Sequence, residues 1–86
     1  MYSLRKIIGI NLRYHRYLSG LSQEKYYEKF GLNYKYLASI ERGEINITVN
    51  FIEKLSSKLN IPILDLVTFD ENKIIRQKRI DAKTKS

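Results

Sequence analysis

The sequence has no cysteine and no tryptophan, and only one proline and one histidine among its 86 residues. Without cysteine, neither a disulfide framework nor a cysteine-ligated zinc site can form. No apolar run approaches the roughly 20 residues of a transmembrane helix, and the N-terminus lacks the long apolar stretch of a secretory signal. We therefore expect a single small cytoplasmic domain with no metal site, no cofactor and no membrane partner.

Acidic residues are also scarce compared with basic ones. The chain has 9 Asp and Glu against 16 Lys and Arg, which gives a formal charge of +7. The basic excess lies at the two ends, in residues 1–17 and 70–86, while the charges of residues 18–69 balance. A strongly basic chain attracts anions, so we expect an anionic partner.

Apolar residues recur at helical spacing through most of the chain, and no alternating strand pattern or hairpin signal occurs. Residues suited to N-caps precede four predicted helices, and a proline suits the first turn of a fifth. These residues are Ser3, Ser22, Asn33, Thr48 and Pro62. The pattern predicts an all-α domain of five helices in residues 1–69. The basic segment that follows, residues 70–86, is expected to be a loose helix or a disordered tail.

Two of the predicted helices are short and meet at a tight turn around Gly31, within residues 23–42. This arrangement is typical of a helix-turn-helix, whose second helix can enter the major groove of DNA. The residues themselves are more informative than the shape. Over residues 8–66 the chain closely resembles the phage Cro/CI (XRE) class of helix-turn-helix regulators, above all in Ser22-Gln-Glu24, Phe30-Gly-Leu32 and Tyr36-Leu-Ala-Ser-Ile-Glu-Arg-Gly43.

The resemblance implies a lambda-repressor-like fold and a sequence-specific regulator of transcription from a bacterium or a phage. Such a protein binds a palindromic operator in double-stranded DNA as a homodimer, and acts as a repressor or an autoregulator. The run from Tyr36 to Thr48 further resembles controller proteins of restriction–modification systems. We expect no small-molecule effector, because the sequence shows no separate effector domain.

The resemblance also implies which side chains read the bases. They lie on the first turn and one later face of the second, or recognition, helix: Tyr34, Lys35, Tyr36, Ala38 and Ser39. Lys35 can donate to guanine O6 and N7, whereas Ala38 offers only a methyl group. No Asn, Gln or Arg stands on this face, so we expect DNA shape to carry part of the specificity. The alternative for Tyr34 and Tyr36 is partial burial against the first helix of the motif, and for Lys35 a solvated charge.

Contacts with the DNA backbone are implied for Ser22, Gln23, Arg42, Asn46 and Thr48. Gln23 opens the first helix of the motif, where free backbone N–H groups and the positive end of the helix dipole favour a phosphate. Arg42, Asn46 and Thr48 lie in the loop after the recognition helix. Capping or turn formation is the alternative role for all five residues.

A partly buried salt bridge between Arg16 and Glu41 is also implied, and it would join the first helix of the chain to the recognition helix. The family usually has Leu-Ala where this chain has Tyr26 and Tyr27. Because a small residue there lets the helices pack closely, we expect Tyr27 to swing to the edge or the helix crossing to open. Leu64 is the second departure, since a polar residue is common at its position.

A dimer would place two recognition helices one DNA turn, roughly 34 Å, apart. We expect its interface near the fifth helix, at Phe51, Leu64, Val67 and Phe69. The alternative is that these residues complete the core of the monomer.

The basic segment has three interpretations: a solvated tail, an arm that lies on DNA, or a helix that extends the dimer interface. Its isoleucines, Ile74, Ile75 and Ile80, favour the helix, and its basic residues, which include Lys83 and Lys85, favour the arm.

Other functional classes find less support. The sequence has no nucleophile–base pair, no metal-ligand cluster and no phosphate-binding glycine loop, so we do not expect an enzyme. A protein-interaction module of the antitoxin type, whose DNA binding is secondary, is the main alternative. Binding of the first helix to a membrane surface is a weaker one.

Overall fold

The computed structural model describes residues 2–85, with the side chains of residues 2–79. This part of the chain is all-helical, with six helices: α1 (Leu4–Ser19), α2 (Gln23–Lys29), α3 (Tyr34–Glu41), α4 (Val49–Leu59), α5 (Ile63–Val67) and α6 (Glu71–Lys85). The all-α prediction is confirmed, and a sixth helix is added to the five predicted. Within residues 2–85, no helix combines the length and apolar character needed to cross a membrane.

The helix boundaries follow from local chemistry. A side-chain oxygen at each of the four predicted N-caps accepts a hydrogen bond from a backbone N–H in the first turn, as expected for Ser3, Ser22, Asn33 and Thr48. At the other end, α4 stops at Asn60, which adopts the left-handed conformation with φ 55°. The four predicted caps are therefore confirmed.

Helix α1 lies at the centre of the fold and contacts α2, α3, α5 and α6. Its apolar face, with Ile8 and Leu12, is buried in a core shared with α2 to α5. A Cβ atom on Gly9 would lie 2.5 Å from the Ile40 carbonyl oxygen and 2.7 Å from that of Glu41. Only glycine permits so close an approach of α1 to the end of α3, so Gly9 sets the distance between these two helices.

Helix α6 is held against α1 by polar contacts. The Gln77 side chain is buried and donates to the Ile10 carbonyl at 2.7 Å, and Arg76 donates to the Tyr14 hydroxyl at 2.7 Å. Lys73 donates to the Asn11 side chain at 3.3 Å. Residues 71–79 are thus packed on the fold rather than forming a solvated tail, whereas the side chains of Ile80, Lys83 and Lys85 lie outside the described residues.

The four candidate interface residues fall into two pairs. Phe51 and Val67 are half-buried and pack against the core, so each has contacts within the monomer. In contrast, Leu64 is 72% exposed and Phe69 is 49% exposed. Phe69 stacks on Tyr2, with ring centroids 5.4 Å apart. Leu64 and Phe69 therefore remain as apolar surface.

Candidate DNA-binding surface

Helices α2 and α3 are joined by a four-residue turn, residues 30–33. Gly31 has φ 72°, a conformation that glycine adopts without the strain a Cβ would add. Leu32 is buried beneath the turn, and its N–H donates to the Tyr27 carbonyl at 3.0 Å. Asn33 then begins α3 by accepting from the N–H groups of Lys35 and Tyr36. This turn leaves the first residues of α3 at the surface of the molecule.

The five predicted base-contacting residues differ in exposure. Lys35 and Tyr36 are exposed, Tyr34 and Ser39 are half-buried, and Ala38 is buried at 8% exposure. The Tyr36 ring packs edge-on against Phe51 of α4, with centroids 5.4 Å apart. Tyr34 packs against the core. The outward strip of α3 therefore consists of Lys35, Tyr36 and part of Ser39.

Arg42 lies at the end of α3 and binds within its own loop. Its Nε donates to Glu44 at 2.9 Å and its Nη2 donates to the Ser39 hydroxyl at 3.1 Å. The hydrogen bond from Arg42 lowers the pKa of Glu44 below its ordinary value. Both side chains are 54% exposed, so solvent screens the pair and it contributes little to stability. These two bonds leave the hydrogens on Nη1 of Arg42 for another acceptor.

The other predicted phosphate contacts each have a partner in the fold. Ser22 and Thr48 are exposed N-caps, and capping is the alternative to phosphate contact that the sequence offers for both residues. The Asn46 side-chain oxygen accepts from Arg5 at 3.1 Å, and Gln23 donates to Glu41 at 3.1 Å. The contact of Arg5 was not predicted. The one feature of the sequence that could have indicated a special role for Arg5 is its position in the first turn of a helix, where acidic residues are favoured over basic ones.

The predicted Arg16–Glu41 pair lies between α1 and α3. The two arginine nitrogens Nε and Nη2 donate to the two carboxylate oxygens at 2.8 and 2.9 Å. The Glu41 side chain is 1% exposed and the Arg16 side chain is 10% exposed. A buried carboxylate needs such a partner, because burial removes its hydration.

Tyr27 supplies a third donor to the same carboxylate, with a hydroxyl–oxygen distance of 2.5 Å. Its side chain is fully buried and packs edge-on against Tyr26, so the expectation that Tyr27 swings to the edge is wrong. A tyrosine fits the interior here because its hydroxyl finds a charged acceptor and is not left unsatisfied. Glu41 therefore accepts four hydrogen bonds, two from Arg16 and one each from Tyr27 and Gln23.

These contacts fix the charge state of the cluster. Burial by itself would raise the pKa of Glu41, but the hydrogen bonds from Arg16, Tyr27 and Gln23 outweigh it and lower the pKa below its ordinary value of 4.5. Burial and the charge of Glu41 raise the pKa of Tyr27 far above its ordinary value. At neutral pH, Glu41 is charged and Tyr27 keeps its proton.

We predict that Arg16→Ala destabilises the fold by about 3–5 kcal/mol, because it removes two hydrogen bonds and the nearest cation from the buried carboxylate of Glu41. Arg13, whose Nε lies 3.9 Å from Glu41 Oε1, makes no such hydrogen bond and replaces this contact poorly. Urea denaturation at pH 7 measures the effect. Arg79→Ala, which removes an exposed arginine, is the matched control and should change stability little. An Arg16→Ala variant as stable as the wild type would contradict a structural role for the pair.

We also predict that Tyr27→Phe costs about 1.5–3 kcal/mol at pH 7, through the lost hydrogen bond to a charged acceptor. A lowered carboxyl pKa stabilises the fold above the unfolded value of 4.5, and that contribution disappears as the pH falls through the folded value. Since Tyr27 helps to lower the pKa of Glu41, the stability gap between variant and wild type should narrow below pH 4.5.

Denaturation curves over a range of pH measure that gap. Tyr34→Phe, which removes the hydroxyl of a half-buried tyrosine, serves as control. A gap for Tyr27→Phe that stays constant on acidification would show that its hydroxyl does not act on the carboxylate.

The amino-acid sequence is similar to those of known proteins. The helix-turn-helix family HTH_3 matches residues 12–66. The chain is 37% identical over 65 residues to the uncharacterized HTH-type transcriptional regulator y4dJ of Sinorhizobium fredii, covering 76% of this chain and 84% of that protein. It is 35% identical to control protein C.SmaI of Serratia marcescens, over 76% of this chain and 77% of that protein. It is also 35% identical to control protein C.BamHI of Bacillus amyloliquefaciens, over 78% and 84%.

No solved structure matches the chain at comparable significance. The family match covers more than half of the chain, and the relatives' names agree with it. The chain therefore belongs to the Cro/CI (XRE) type of helix-turn-helix proteins, a family of DNA-binding transcriptional regulators and not of enzymes.

Proposed function

We propose that this DNA-binding regulator occupies a palindromic operator as a homodimer, and thereby represses or autoregulates a promoter in the bacterial cytoplasm. The observation that carries the proposal is the outward strip of α3, with Lys35 and Tyr36 exposed in its first turn. An α-helix fits the major groove, and its N-terminal residues lie nearest to the base edges in helix-turn-helix proteins.

Groups suited to DNA phosphates flank this strip. Ser22 and Thr48 begin α2 and α4, and helix N-termini attract anions through free N–H groups and the helix dipole. Arg42 and Asn46 lie in the loop between α3 and α4, and both are exposed. Phosphate contacts on both sides of α3 would hold it in register along the groove.

The names of two relatives support a narrower role. Both C.SmaI and C.BamHI are named control proteins, and the chain spans 77% and 84% of their lengths. We propose that this chain is likewise a controller protein of a restriction–modification system that regulates its own expression. Occupation of a promoter is sufficient for repression by exclusion of polymerase.

Two experiments test whether Lys35 contacts a base. Bound sites are first selected from random DNA with the wild-type protein, and the selected duplex is then titrated with protein at several salt concentrations. We predict that Lys35→Ala costs about 1–3 kcal/mol of binding free energy and relaxes the base preference at one position of each half-site. Lys58→Ala, at an exposed lysine near the end of α4, should keep the preference.

An unchanged base preference in Lys35→Ala would remove Lys35 from the reading surface. Absence of any preferred sequence in the wild-type selection would reduce the protein to a general binder of DNA and overturn the proposed operator.

The proposed dimer uses the apolar surface of Leu64 and Phe69. We predict that Leu64→Glu dissociates it at micromolar concentration, since burying a carboxylate in an apolar interface is unfavourable. Sedimentation, with and without the selected duplex, measures the change. Leu18→Glu is the matched control, because Leu18 is 63% exposed and lies at the far end of α1. A wild-type protein that sediments as a monomer in both conditions would contradict the dimer.

A further inference from the structure

The first turn of α1 lies directly beside the loop that follows the recognition helix. The Lys6 ammonium donates to the Arg42 carbonyl at 3.0 Å, and the Arg5 guanidinium donates to the Asn46 side-chain oxygen at 3.1 Å. Gly43 packs so closely on this turn that a Cβ there would lie 2.5 Å from Cδ of Lys6. Two adjacent basic residues are therefore fixed next to the loop proposed to follow the DNA backbone.

Two cations in the first turn of a helix oppose the helix dipole, which favours acidic residues there, and α1 has none. The position of Lys6 in the first turn of α1 is explained by its contact with α3. Helix α3 has no basic residue in its last turn, and Lys6 places a cation on the carbonyl at its C-terminal end. Arg5 makes no comparable contact with a helix end, and no ion pair among the described residues includes it.

In the contact between Arg5 and Asn46, the guanidinium is the donor and the amide oxygen is the acceptor. Because the Asn46 amide accepts through its oxygen, the part of the amide left for another molecule is its N–H₂ group, a donor. Arg5 has further N–H groups and can only donate. The pair thus presents donors and a positive charge at an exposed position, which suits a phosphate group. The nearby carboxylate of Glu44 is bound to Arg42.

We propose that Arg5 and Asn46 together bind one backbone phosphate of DNA, and so extend the DNA-binding surface from the α3–α4 loop onto α1. This inference rests on the proposed DNA-binding surface, and it adds a contact that motif comparison does not assign to Arg5. In this arrangement Asn46 also holds the guanidinium in position before DNA arrives.

The test measures affinity for a random-sequence duplex of about 30 base pairs, and for the duplex selected by the wild type, as a function of salt. Arg5→Gln should weaken binding on the order of tenfold or more at low salt. It should lower the slope of log affinity against log salt by about 0.9 for each bound protomer, or about 1.8 for the proposed dimer, equally for both duplexes. Lys58→Gln makes the same charge change near the end of α4, and its slope should stay close to that of the wild type.

The outcomes separate the inference from the function on which it rests. A wild-type protein that binds neither duplex overturns the proposed function itself. The second outcome is that the wild type binds DNA and the salt dependence of Arg5→Gln has the same slope as that of Lys58→Gln. In that case the proposed DNA binding is kept and the contact by Arg5 is overturned. Asn46→Ala tests the pairing: combined with Arg5→Gln it should have a less than additive effect, whereas full additivity would mean that the two residues do not share a phosphate.

Discussion

The buried carboxylate of Glu41 is the constraint on which the placement of the recognition helix depends. It lies on α3 and accepts hydrogen bonds from Arg16 on α1 and from Tyr27 and Gln23 on α2. Removing a carboxylate from water is expensive unless its oxygens are fully bonded, so the stable arrangement of the three helices is one that brings these donors together. A single charge thereby fixes α3 relative to both neighbours.

Two further close contacts of α3 lie at the same end of the helix. The absence of a side chain at Gly9 lets α1 approach the carbonyls of Ile40 and Glu41, and Lys6 donates to the carbonyl of Arg42. Helix α3 is therefore anchored at its C-terminal end, while its first turn carries exposed side chains. Of the three residues in that first turn, Tyr34 packs against the core and Tyr36 against Phe51, so Lys35 is the one that can vary with the least effect on the fold.

Local chemistry is readable from the residues themselves, whereas a distant pair such as Arg16 and Glu41 was predicted only through the resemblance to a family. The four N-caps and the turn at Gly31 were predictable because each depends on residues within one helical turn. The contact of Tyr27 with Glu41 spans 14 residues, and nothing near Tyr27 indicates a buried acceptor. For residues 70–86 the sequence left a loose helix and a disordered tail as alternatives, and it did not predict that α6 packs on α1. Polar side chains such as Gln77 make that contact, and apolar periodicity does not reveal polar contacts.

The net charge of +7 overstates the number of basic side chains available for direct contact with DNA, because several of them are bound within the fold. Several cations are engaged within the fold: Arg16 by Glu41, Lys6 by the end of α3, and Lys73 and Arg76 by α1. They add to the long-range attraction of DNA, which depends on total charge, but each uses part of its donor capacity within the fold. Specific contact requires a cation that is both exposed and correctly placed. Lys35 on α3 and Arg5 beside the α3–α4 loop are both exposed, and the contacts proposed for them would meet that condition. On that proposal, the position of a few side chains matters more for recognition than the sum of charges.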